Sequence, residues 1–80
     1  MNTPLLAKAF GRAVRARRAE LGITQVDLGK RSGLDRSYIS GIERSQHNPT
    51  LQVIERVAKG LNTKPSILLA SAERITEEAE

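Results

Sequence analysis

The chain has no cysteine and a single histidine, His47, and these shortages remove whole classes of chemistry. Without cysteine there is no disulfide framework and no thiolate metal site. His47 has no second histidine or carboxylate set near it in the chain, and no Ser/His/Asp or Cys/His arrangement can be assembled. No glycine-rich phosphate loop occurs either, so the expectation is no enzyme, no metal and no cofactor. Nowhere do 18 consecutive apolar residues occur, and the opening MNTPLLAKAF lacks the apolar stretch of a signal peptide. Membrane spanning and secretion are therefore unsupported, and a soluble cytoplasmic protein is expected. There is no strand-like alternation, internal repeat or linker, which leaves an all-α fold.

What the sequence does contain is a short, basic, helix-forming chain. Its 80 residues make one domain, and a domain of this size buries only about 60% of the surface its unfolded form exposes. The core must come from aliphatic side chains and is thin, so a homodimer is expected on stability grounds. Charge is uneven: residues 1–60 hold 11 Lys and Arg against 5 Asp and Glu, or +6, while residues 61–80 hold 2 against 4, or −2. A basic body suits a polyanion, because each neutralised phosphate releases condensed counterions; a solubilising surface is the plainer reading.

Punctuation divides the chain into five helical segments. Thr3 as N-cap and Pro4 open the first, which carries Leu6, Phe10, Ala13, Val14 and Leu21 on one stripe and stops at Gly22. Thr24 caps a short second helix, with Asp27 completing a capping box and Gly33 ending it in the left-handed conformation. Asp35 is the natural N-cap of the third, residues 36–44, followed by a polar loop to Pro49. Thr50 caps the fourth, where Leu51, Ile54, Val57, Ala58 and Leu61 recur at helical spacing, and Asn62 terminates it. Pro65 opens the fifth, with Ile67, Leu68 and Leu69, and the acidic run that follows predicts a solvated or frayed end. This gives a compact domain over 1–70 and an acidic tail or helix extension over 71–80.

The stretch TQVDLGKRSGLDRSYISGIER, residues 24–44, encodes two short helices joined by a tight turn, the pattern of a helix-turn-helix. On the second helix Ile39 and Ile42 share one face, while Arg36, Ser37, Ser40, Gly41 and Arg44 fall on the other. One face packs and the other is free to read something.

Residues 10–69 resemble the Xre family of helix-turn-helix proteins, a group that includes lambdoid phage repressors, Cro, restriction-modification controller proteins and many antitoxins. The resemblance rests on G-I-T-Q-x-x-L-G from Gly22, S-G-L from Ser32, Y-I-S-G-I-E-R from Tyr38 and N-P-T-L from Asn48. DRSYISGIER with its short loop to NPTL is most similar to the controller proteins. The resemblance implies a compact lambda-repressor-like domain. It also implies a transcriptional regulator that binds a pseudo-palindromic site in double-stranded DNA as a homodimer, through the major groove. The alternative is an antitoxin that also masks a toxin partner.

Carried over by position, the resemblance assigns Arg36, Ser37, Ser40 and Gly41 to base edges, and Gln25, Tyr38 and Arg44 to the DNA backbone or neighbouring bases; His47 and Asn48, in the polar loop, are candidate backbone contacts, with plain solvation the other reading for His47. Arg36 leads, since its fork can donate two hydrogen bonds to guanine O6 and N7, a pair that discriminates by about 1–3 kcal/mol. Gly41 allows close approach rather than specifying a base. Each has a plainer reading: a surface arginine for Arg36, packing against Ile42 for Tyr38, an exposed helix former for Gln25, and a complement to the helix dipole for Arg44. The resemblance further implies a structural bridge from Arg18 to Glu43. Many family members have glycine at the position of Ser45 and alanine at that of Gly29. Ile67, Leu68 and Leu69 are the expected dimer surface, being more apolar than one thin core can use.

Overall fold

The computed structural model describes residues 5–79 and contains α1 (Leu5–Leu21), α2 (Gln25–Ser32), α3 (Arg36–Glu43), α4 (Leu51–Gly60) and α5 (Pro65–Ala79). Among the described residues there is no strand. The expected cap Thr3, the helix-opening Pro4 and the final Glu80 lie outside the described residues.

α1 is the spine: it packs along α5 and crosses α3, while α2 lies against α3 and α4. The core is aliphatic apart from Phe10 and joins every helix, with Val14, Leu28, Ile39, Ile42, Val57 and Leu61 almost wholly buried. Leu21, Ile23, Leu34, Val53, Ile54, Leu69 and Ile75 pack against its edge. Two apolar positions read as core from their periodicity are not: Leu6 is 44% exposed and Leu51 is 81% exposed. Both sit in the first turn of a helix, and Leu6 is only flanked by Glu73, Thr76 and Glu77 of α5. Ala9, by contrast, is buried against its neighbours although the stripe omitted it.

The α2 N-terminus is closed by a full capping box, Thr24 Oγ1 accepting from the Asp27 N–H at 3.0 Å and the Thr24 N–H donating to Asp27 Oδ2 at 2.9 Å. Asp35 stands at the N-cap of α3 but its side chain makes no capping hydrogen bond, which corrects the expectation that its carboxylate would accept the orphan amides. The tight α2–α3 turn is held by Gly33 at φ 74° and by the Gly33 and Leu34 N–H groups, both donating to Gly29 O. A Cβ on Gly29 would lie 2.7 Å from Leu34 O, so alanine at this position would force the turn open.

α5 is helical beyond residue 70. It continues as helix through Ala79 because Ala72 is fully buried and Ile75 packs against the core. Its acidic side chains Glu73, Glu77 and Glu78 face solvent on the other side. Leu68, expected on a dimer surface, is only 3% exposed: its own chain's core takes it up, leaving Ile67 exposed at 55% and Leu69 half-buried.

Candidate nucleic-acid interface

α3 has eight residues, and at 100° per residue Arg36, Ser40, Arg44 and Ser37 occupy one arc of about 100°. Ile39 and Ile42 face the opposite way into the core. Arg36, Ser37 and Arg44 are exposed and Ser40 is half-buried, so this arc is the polar face the chain presents.

The face is held in place from behind. Arg18 of α1 grips Glu43 of α3 through both guanidinium nitrogens that can reach it, Nε to Oε2 at 2.8 Å and Nη2 to Oε1 at 3.0 Å. Arg18 Nη1 also donates to Ile23 O at 3.0 Å, and Gln25 Nε2 donates to Glu43 Oε1 at 3.1 Å. The Glu43 side chain is 4% exposed and that of Arg18 18%. A buried carboxylate is tolerated only when fully partnered, and this one ties α1, α2 and α3 together at one point. Hydrogen bonding and the charge of Glu43 raise the Arg18 guanidinium above its ordinary value, against the opposing effect of burial.

Three groupings surround the polar face. At the start of α2, Gln25 and Arg36 share the wall of a shallow concavity with Arg18, Gly22, Ile23, Thr24 and Val26. The first-turn amides of a helix point out along its axis and attract anions; the Gln25 side-chain amide, however, is turned to Glu43. In this structure it helps to hold the bridge. On the flank of α3, the Tyr38 ring stacks on His47 with centroids 4.7 Å apart and an interplanar angle of 19°. Gly41 is buried beneath them, and a Cβ there would fall on His47 Cδ2 and Nε2. In this structure the imidazole of His47 covers the approach that glycine was expected to leave open. At the end of α3, Arg44 lines a cleft with Lys8 and Arg12 of α1 and Ile75 and Thr76 of α5. Asn48 is exposed in the loop between α3 and α4.

Two residues that hold the helices together were not legible in the chain. Gly11 is buried where α1 crosses α3, and a Cβ there would meet the Ile42 and Glu43 carbonyls, the latter at 2.9 Å. Arg17 donates to Leu61 O at 3.1 Å and Asn62 O at 3.3 Å, satisfying the carboxyl end of α4. Both depend on partners more than 30 residues away in sequence, so no local spacing marks them.

A two-helix unit with a tight turn, its second helix braced from behind and polar in front, defines a helix-turn-helix protein. The family profile for helix-turn-helix domains matches residues 14–68, and the chain belongs to that family of DNA-binding transcriptional regulators. It is similar to the immunity repressor protein of Bacillus phage phi105, with 38% identity over 68 residues, which are 85% of this chain and 47% of that protein. The chain thus spans about half the length of that repressor. It is also similar to the control protein C.SmaI of Serratia marcescens, at 41% identity over 70% of this chain and 67% of that one. Among solved structures, the wild-type restriction-modification controller protein C.Esp1396I superposes with a TM-score of 0.86 at 33% identity, covering 94% of this chain and 97% of that one.

Proposed function

We propose that the chain regulates transcription by binding a pseudo-palindromic operator as a homodimer, each copy placing α3 in a major groove of double-stranded DNA. The observation that carries this is the exposed arc of Arg36, Ser37, Ser40 and Arg44 on a helix whose opposite side is locked into the core. An eight-residue helix is a rod about 12 Å long and 10–12 Å across, which suits a groove about 12 Å wide. Arg36, at the first turn of α3, reads base edges; the serines add smaller contacts; Arg44 and the α2 N-terminus meet phosphate. With extents of 33 × 24 × 20 Å, two copies fit side by side on one face of a duplex with half-sites about 34 Å apart. The dimer contact uses Ile67 and Leu69 rather than the core residue Leu68.

The test is selection of binding sites from random duplexes at near-physiological salt, followed by titration of Arg36→Ala. The expected result is an enriched site with two related halves, and a loss for the variant of about 1–3 kcal/mol on that site with preference relaxed at one base pair. Equal losses on the enriched and on random duplexes would move Arg36 from base reading to backbone contact.

A further inference from the structure

We infer that His47 is a positioning residue for sequence reading: its imidazole, seated against Gly41, holds the Tyr38 ring in one orientation at the edge of the polar face of α3. This rests on α3 being the reading helix, as proposed above. His47 belongs to the loop, not to α3, yet its ring lies close enough to the helix that only glycine at position 41 leaves room for it. The near-parallel stack on Tyr38 then closes a sandwich of helix backbone, imidazole and phenol.

The loop is built to deliver that ring. Ser45, at φ 61°, turns the chain back, its N–H donating to Ile42 O at 3.0 Å and the Gln46 N–H to Gly41 O at 2.8 Å. These two bonds form a Schellman closure that fixes the backbone just before His47. Tyr38 lies one turn before Ile42 and next round the helix from Ser37, half-buried against the core at the border of the exposed arc. A tyrosine free to rotate on a helix surface would have to be ordered on binding, whereas one already stacked presents its hydroxyl in place and spares that ordering cost. Gly41, His47 and Tyr38 therefore act as one unit, and the residue that looks like a loop contact to phosphate works through its neighbour.

The experiment compares His47→Ala, His47→Phe, Gly41→Ala and the Gly41→Ala/His47→Ala double variant in the full chain, each first shown to unfold cooperatively. In the free protein, the Tyr38 ring resonances move in both alanine variants and stay near their original positions with phenylalanine, which keeps the stack. On the selected operator His47→Ala and Gly41→Ala bind roughly two- to tenfold more weakly, the double variant is no weaker than either single one, His47→Phe is restored, and binding to a scrambled duplex does not change. Equal weakening of His47→Ala and His47→Phe on both duplexes would overturn the inference in favour of a direct phosphate contact. Unchanged discrimination in His47→Ala also sinks it. A wild-type chain that binds no duplex defeats the assignment of α3 as reading helix, and the role of His47 with it; that outcome is told apart from the others because the wild type itself fails.

Discussion

Arg18 and Gly11 show how single residues of α1 set the pose of a helix they do not belong to. Arg18 partners a Glu43 side chain that is 4% exposed, and removing one member of a buried pair leaves the other charge without its main partner. Arg18→Ala is expected to destabilise the fold by about 3 kcal/mol or more, measured by denaturant unfolding, because Gln25 alone cannot satisfy the carboxylate. Gly11 acts by absence. The atoms a methyl would meet are the Ile42 and Glu43 backbone carbonyls, which cannot swing aside as a flexible side chain could. Gly11→Ala, although it favours helix intrinsically, is therefore expected to cost about 1–3 kcal/mol net; a midpoint equal to or above the wild type's would show that α1 and α3 part easily. Gly41 contrasts with it, since only the end of the His47 side chain stands in the way there.

Helix ends carry much of the information at the level of elements. α3 and α4 finish in the same way, a left-handed residue followed by a 6→1 bond: Ser45 with Gln46 N–H to Gly41 O, and Asn62 with Thr63 N–H to Ala58 O. Asparagine tolerates that conformation well, while serine pays about 1 kcal/mol of strain; the loop nevertheless keeps the geometry, since it seats His47. The start of α2 makes a prediction about pH. The carboxyl of Asp27 is held below its usual value, first by the Thr24 backbone N–H and then by the Thr24 hydroxyl. A depressed carboxyl pKa stabilises the fold above the ordinary carboxylate range and loses that contribution as pH falls through the lowered value. Asp27→Asn should thus lower the thermal midpoint at neutral pH, with the gap to wild type narrowing in acid below the usual carboxylate range. A gap independent of pH would mean that the cap works through shape and not through charge.

At the scale of the whole molecule, the proposed dimer makes a prediction about α5. Leu68 is spent on the core, and the exposed apolar side chains that remain include Ile67, on α5 just after its turn. In the proposed dimer, Ile67→Glu is expected to shift the chain towards monomer in sedimentation at micromolar concentration while leaving its helix content intact, because more than half of the side chain is exposed in its own copy. Persistence of the dimer would send the search to Leu51, the most exposed large apolar side chain among the described residues. Basic side chains from α1, α2, α3 and α4 are exposed, as are the acidic Glu73, Glu77 and Glu78 of α5.

Local rules wrote the elements. Gly22, Gly33 and Asn62 end helices because their conformations permit left-handed turns, Thr24 and Thr50 begin them because their hydroxyls accept an amide, and the alternation of Ile39 and Ile42 with Arg36, Ser37 and Ser40 sorted one helix into a buried and a bare side. The motif between residues 24 and 44 was legible for that reason: helix-turn-helix pairing is short-range, so its signals sit within one window of the chain. Tertiary packing decided what the bare side consists of. It turned the Gln25 amide inward, laid His47 over Gly41, drew Leu68 into the core and extended α5 past Leu69, since each of these depends on which distant surface happens to lie within a few ångströms, and a sequence records neighbours along the chain but not across it.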